Sequence, residues 1–332
     1  MRRFLPDNYI LALLSTVALA SFLPCTGNAA LWFQSITTAA VSLLFFLHGA
    51  KLSGAALKAG LLHWRLHGAV FFTTFLLFPL LGIALKPLLL PLLTPDLYLG
   101  VLFLCVLPSA IQSSIAFTAM ANGNVPAAIT SASLSNLLGI VLTPLWVGVL
   151  FHHSGGHGHA GEMVLAIFKQ LLLPFVAGQL MRPWIGHWIN QHRHLLKSVD
   201  QGSILLVVYT AFSAAVVQHL WEKTSPPLLL MLVMINAIIL LLVLLSTYWA
   251  GKAFGFNHAD RMTLLFCGSK KSLASGVPLA SLLFAAPKVG LMLLPIMIFH
   301  TLQLMTCAVL AQRFSKQIST KTTPATAPPP LS

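Results

Sequence analysis

The sequence predicts an all-α polytopic membrane protein with ten transmembrane helices, five on each side of a histidine- and glycine-rich loop. Three observations predict it. The 332 residues are 57% hydrophobic and 8% charged, with a mean hydropathy of +0.87, whereas soluble domains carry roughly 25% charged residues. A chain this apolar cannot cover itself with a polar surface. Ten runs approach the ~20 mostly apolar residues that a bilayer crossing needs. Thirteen of the nineteen Lys and Arg residues fall in alternate connecting segments, the pattern that cytoplasmic loops show.

The ten runs are residues 9–23, 32–50, 68–90, 97–121, 126–151, 163–181, 199–219, 227–250, 261–284 and 288–311. The opening "MRRFLPDNYILALLSTVALASFLPC" has the cationic start and small residues of a signal peptide, and "LPC" hints at a lipoprotein site. It reads instead as a first transmembrane helix, because span after span follows. "KLSGAALKAGLLHWRLH", residues 51–67, reads as an amphipathic interfacial helix. Trp32, Trp146, Trp184, Trp188, Trp221 and Trp249 lie near span ends, as interfacial anchors do. The loop "HHSGGHGHAGE", residues 152–162, offers His152, His153, His157 and His159, but the glycines between them preorganise no ligand geometry, so no metal site is expected. The organisation is therefore a first five-helix half (1–151), the loop (152–162), a second half (163–311) and a polar, Pro/Thr-rich tail (312–332) expected to be disordered on the cytoplasmic side.

Charge sets the orientation. With the N-terminus inside, the inside set holds Arg2, Arg3, Lys51, Lys58, Arg65, Arg182, Arg193, Lys197, Lys252, Arg261, Arg313, Lys316 and Lys321. Outer segments receive Lys86, Lys223 and Lys288, and Lys169, Lys270 and Lys271 fall within spans. Both termini are expected in the cytoplasm, across a bacterial inner (cytoplasmic) membrane. The net charge of +13 sits in short loops, which points to the lipid bilayer as partner and to no nucleic acid. Three of the four cysteines lie in apolar runs without metal or redox spacing and read as small buried hydrophobes.

Two five-helix halves insert with opposite orientation, the parity that an inverted repeat requires. The fourth span of each half is interrupted. The first, "LCVLPSAIQSSIAFTAMANGNVP", has Pro108 and a polar patch of Ser109, Gln112, Ser113 and Ser114. The second, "LLFCGSKKSLASGVP", has Gly268 and a polar patch of Ser269, Lys270, Lys271 and Ser272. Paired interruptions at corresponding positions point to a transporter binding site. The following span, "AAITSASLSNLLGIVLTP", carries Thr130, Ser131, Ser133, Ser135, Asn136 and Thr143, for each of which helix packing is the ordinary role. His48 and His300 lie within spans, close enough to polar ends to read as packed histidines.

The lysine pair carries the most information. One cation at the centre of a membrane helix costs about 2.5–3.5 kcal/mol, so both should face a polar interior. Lys270 is nine residues from the inner end of its span, some 14 Å at helical rise, too far for snorkelling alone. The six acids, Asp7, Asp96, Glu162, Asp200, Glu222 and Asp260, all lie in loops or at span ends. The lysines must then be balanced by carbonyls, hydroxyls, water, helix C-terminal ends or an anionic ligand. A site with cations and no anions favours an anionic organic solute. No nucleophile–base pairing, HExxH or phosphate loop is present, so neither an enzyme nor a cofactor is expected.

"LPSAIQSSIAFTAMANGNVPAAITSASLSNLLGIVLTP", residues 107–144, resembles the first crossing-helix region of bile acid:sodium symporter-like proteins. "FCGSKKSLASGVPLA", residues 266–280, resembles the second, in the branch that holds bacterial YfeH-type proteins and the animal solute carrier 10 member 7. The resemblance implies two inverted five-helix repeats, a pair of helices forming a panel domain, and a core in which two broken helices cross near the substrate and cation sites. It assigns the first crossing helix's polar pair to Ser113 and Ser114, with Thr130 and Ser131 beside them. It places the sodium-ligating glutamate and glutamine of sodium-coupled members at Phe266 and Lys270, where this chain has neither. The implied function is a secondary carrier working by alternating access without a strong sodium site, with Lys270 or Lys271 taking the electrostatic place of sodium and a proton or sodium as possible coupling ion. The alternative is a membrane regulator that tunes calcium flux through a partner protein without transporting.

Overall fold

The computed structural model describes residues 8–51, 63–151, 172–217 and 225–321, together with Lys169 and His219. Every element among them is helical. In chain order they are α1 (Asn8–Phe22), α2 (Gly27–Lys51), α3 (Trp64–Phe72), a π-helical turn (Thr73–Leu77), α4 (Phe78–Ala84), α5 (Lys86–Leu89), α6 (Pro95–Val106), α7 (Ile111–Met120), α8 (Val125–Phe151), α9 (Leu173–Gln191), α10 (Arg193–Val217), α11 (Pro226–Ala253), α12 (His258–Gly268), α13 (Leu273–Leu283) and α14 (Ala286–Lys321). Helices are the economical answer to this composition, since a lipid-facing backbone must satisfy its hydrogen bonds within its own segment.

Among the described residues six helical segments are long and apolar enough to cross a bilayer, and the pair α6 and α7, bent by 59° at its break, makes a seventh if it is one span. Each of the ten apolar runs lies mostly on helix where it is described, two of them broken at residues 107–110 and 269–272, and of the sixth only Lys169 and the part from Leu172 onward are described. Large apolar side chains face outward along these helices: Trp32, Trp64, Trp184 and Trp249 are 61–77% exposed, as lipid-anchoring tryptophans are.

Two boundaries differ from the sequence expectation. α14 continues to Lys321, ten residues into the segment assigned to a disordered tail, and residues 312–321 hold no proline. Trp64 opens the helix of the third span instead of closing an interfacial helix, and residues 52–62 lie outside the described residues. The histidine-rich loop also lies outside them. α10 packs on α1, α2 and α9, and α9 on α2, a four-helix group taken as the panel. Gly49 and Gly178 bring α2 and α9 together, since a Cβ on either would fall on a backbone carbonyl of the other helix, that of Phe175 or of Phe46. The remaining helices form a core whose α13 and α14 pack against α10.

Candidate functional site

Two helices break within the core, and the breaks touch. Pro108 has no N–H and ends α6, leaving Leu107 to Ala110 as the gap before α7. Ser269 to Ser272 form the gap between α12 and α13. Five carbonyls at the end of α6 and in the gap find donors. Val106 accepts from Thr143 Oγ1 at 2.8 Å, Pro108 from the Ser272 N–H at 2.8 Å and Ser109 from Asn136 Nδ2 at 2.6 Å. Cys105 and Leu107 accept from Lys271 Nζ at 2.8 and 2.7 Å. The end of α12 is served by hydroxyls instead: Ser114 Oγ donates to the Phe266 carbonyl at 3.0 Å and Ser109 Oγ to that of Cys267 at 2.6 Å.

The third donor arm of Lys271 reaches the Thr74 carbonyl at 2.7 Å. That acceptor is free for a local reason. In the π-helical turn the Phe78 N–H bonds back to Thr73, so Thr74 would bond to residue 79, which is proline and has no N–H. Three carbonyls and the Phe78 ring, 4.0 Å from Nζ to its centroid, therefore surround the ammonium. Charge-assisted hydrogen bonds contribute about 1.5–3 kcal/mol each, so three of them offset the ~2.5–3.5 kcal/mol of placing a cation there. Two of the acceptors belong to the C-terminal end of α6, whose dipole favours positive charge. Gln303, fully buried on α14, holds the backbone at this point: its Oε1 accepts from the Lys271 N–H and its Nε2 donates to the Lys271 carbonyl, both at 2.9 Å. Gln303→Leu strips both partners from a buried peptide and is expected to destabilise the protein by roughly 2 kcal/mol in thermal or denaturant unfolding, with Gln303→Glu milder.

Lys270, equally buried, points elsewhere. Its Nζ has no hydrogen-bond partner and lies 3.7 Å from the centroid of the Phe117 ring. Phe266 stands beside that ring, centroids 6.1 Å apart.

On the panel side of the breaks lies a cavity of about 700 Å³. Its walls come from α2 (Phe45, His48, Lys51), α7 (Ile111, Gln112, Ser113, Phe117), α8 (Ser133, Asn136, Ile140), α10 (Asp200, Gln201, Ile204), α13 (Leu273, Ser275) and α14 (His300, Leu304). The first turns of α7 and α13 both face it, and Ala110 at the head of α7 supplies no side-chain cap. Asp200, the one carboxylate in the wall, is already paired with Lys51 at 2.6 Å.

The family model for the SBF-like CPA transporter family matches residues 7–316. The chain belongs to that family. Among curated proteins the chain is similar to the uncharacterized protein PA2026 of Pseudomonas aeruginosa, 57% identical over 95% of each chain. It is 50% identical to YfeH of Escherichia coli strain K12, named as a candidate symporter, over 94% of this chain and 93% of YfeH. It is 27% identical to the sodium/bile acid cotransporter 7 of Xenopus tropicalis, over 93% and 92% of the two chains. An SBF-like family member is a membrane transporter of the bile acid:sodium symporter type and not an enzyme.

In this SBF-like chain the residues singled out from sequence divide into three groups. Gln112, Ser113 and Ser272 line the cavity. Ser114, Ser269, Lys270 and Lys271 are buried at the crossing, Ser269 turning its hydroxyl back onto the Leu265 carbonyl. Thr130 and Ser131 lie away from the cavity wall, Thr130 bonded to Pro126 within α8 and Ser131 paired with His67 at 2.6 Å. Sequence reasoning missed Gln303 and Phe117, which carry no signal of their own. It assigned Asn136, His48 and His300 to packing, yet all three line the cavity, and Asn136 also bridges the two breaks by accepting from Ser275 Oγ at 2.6 Å. Among the described residues no cluster of three metal-ligating side chains occurs.

Proposed function

We propose that the protein is an alternating-access carrier for an organic anion, with Lys271 as a tethered cation in place of a bound metal ion. Ten spans form two inverted five-helix repeats (1–151 and 163–311), and both termini lie in the cytoplasm. The observation that carries this reading is the Lys271 ammonium, held by three backbone carbonyls of two elements at the crossing of the two broken helices. A covalently attached ammonium is always present, so the crossing is held together without sodium. The position that the family resemblance gives to a sodium-ligating glutamate is occupied by Phe266, which offers no carboxylate. The anionic class is supported by two helix N-termini at one cavity wall, whose positive dipole ends favour an acid group, that of α7 without a side-chain cap, with Gln112, Ser113, Ser272 and Ser275 beside them. The apolar remainder of the wall suits a carbon skeleton.

The test is thermal stability of purified protein with organic acids and their uncharged amides, with and without sodium, because a ligand of the folded state raises the midpoint by mass action. Acids are expected to stabilise and amides not, and sodium is expected to leave the wild type unmoved. Lys271→Ala empties the carbonyl cage and is expected to make stability respond to sodium or potassium. A wild type stabilised by sodium, or amides as effective as acids, sinks the proposal. Stable binding to a partner protein without any flux in liposomes would favour the regulator instead.

A further inference from the structure

Lys270 is the one feature of the crossing that this reading leaves without work. It is fully buried, its Nζ has no hydrogen-bond partner, and no carboxylate among the described residues reaches it. Cys267 and Cys307, both free cysteines, flank it. What it does have is the face of Phe117, with the ammonium centred 3.7 Å from the ring. An aromatic face attracts a cation through its quadrupole, and more strongly away from water. Phe117 is itself part of the cavity wall, whereas Lys270 is not. The ring is thus a single layer between a buried cation and the space assigned to the solute.

The face of α7 around that ring is unusual in the same way. Ser113 lies four residues before Phe117 and so on the same side of the helix. It also lines the cavity, and its Oγ is buried without a partner. A cation over the phenyl ring and a hydroxyl one helical turn away, neither with a hydrogen-bond partner, lie next to a helix start that lacks a side-chain cap. Cores avoid such orphans unless another state satisfies them.

We infer that Phe117 is a shutter on Lys270: with the ring over the ammonium the cation is closed off from the cavity, and rotation of the ring about χ1 opens Lys270 to it. Phe117 then decides which solutes gain the second lysine, because an acid group reaching past Ser113 can replace the ring as the partner of the ammonium and an uncharged group cannot. The inference rests on the carrier reading above and names a specificity-determining residue within it.

Reductive methylation of the full-length protein in detergent micelles, with formaldehyde and borohydride and mass-spectrometric readout of each lysine, tests it. In the wild type Lys270 is expected to react slowly and Lys271, held by its three carbonyls, more slowly still, while exposed Lys252 reacts at once. Phe117→Ala should speed methylation of Lys270 about tenfold, as removing roughly 1.4 kcal/mol of barrier does, with Lys271 unchanged. Phe117→Leu keeps the bulk without the π face, guards against misfolding of the alanine variant, and should speed it less. Equal Lys270 rates in wild type and both variants overturn the shutter, and so does a Lys271 rate that rises in step with Lys270, which marks general loosening. That failure would leave the sodium response of Lys271→Ala untouched, and a sodium-stabilised wild type would defeat the carrier reading without moving the methylation pattern.

Discussion

Lys271→Met is expected to lower the unfolding free energy by roughly 3 kcal/mol, three orphaned carbonyls at about 1–3 kcal/mol each less the ~2.5–3.5 kcal/mol that a buried cation costs, and to abolish transport while leaving membrane insertion intact. The loss has an identifiable source. Methionine fills most of the lysine volume, so packing is nearly kept, but the Thr74, Cys105 and Leu107 carbonyls lose their donor at once. Each orphaned buried acceptor costs about 1–3 kcal/mol. Lys270→Met should behave in the opposite way on stability. It gives up a ring contact of roughly 0.5–2 kcal/mol and removes a buried cation costing about 2.5–3.5 kcal/mol, so the variant is expected to be as stable as the wild type or more so. Transport is expected to fail in both, measured as liposome uptake of an acid that stabilises the wild type. Denaturant unfolding in micelles, with membrane fractionation as the insertion control, separates the two lysines. Equal destabilisation by the two substitutions would contradict the different surroundings described for them.

Much of this site was legible in the residues alone. A proline in one apolar run and a glycine with two lysines in its counterpart marked both breaks, and the lack of acids near the lysines left carbonyls and helix ends among their possible partners. What stayed hidden follows from the kind of partner involved. Backbone carbonyls have no sequence signature. Thr74 becomes an acceptor only because a π-helical turn shifts the register by one residue and brings Pro79 to the donor position. Gln303 is 32 residues from the peptide it clamps, and its apolar surroundings give no hint of that contact. The lysines could not be told apart from sequence either, since the break at residues 269–272 frees adjacent side chains from the ~100° spacing of an intact helix. The family resemblance sets Thr130 and Ser131 beside the first crossing helix's polar pair, and in α8 Thr130 bonds to Pro126 and Ser131 to His67, away from the cavity wall.

The panel explains how a cavity of this size persists beside such a tightly bonded crossing. α2 and α9 approach so closely that the Phe46 carbonyl occupies the position a Cβ on Gly178 would take, and the Phe175 carbonyl does the same to Gly49. The two Phe-x-x-Gly stretches, residues 46–49 and 175–178, interlock in antiparallel register. Small residues permit this contact in a membrane, where lipid tails compete with any larger apolar side chain and close packing supplies the association. His48, Lys51 and Phe175, which line the cavity, are held by the same contact. Gly178→Ala must therefore push two backbones apart, because the obstacle is a main-chain carbonyl that no rotamer change can move. It is expected to lower stability by more than about 3 kcal/mol, the upper end for overpacking by a methyl group, and to remove the stabilisation by organic acids as the cavity wall shifts. Gly148, in α8, has nothing within 4 Å of its missing Cβ. Gly148→Ala should leave stability unchanged or raise it by up to about 1 kcal/mol through helix propensity. The thermal midpoints of the two variants in the same detergent decide the matter: if they shift alike, α2 and α9 do not meet backbone to backbone, and the cavity has lost the wall that defines it.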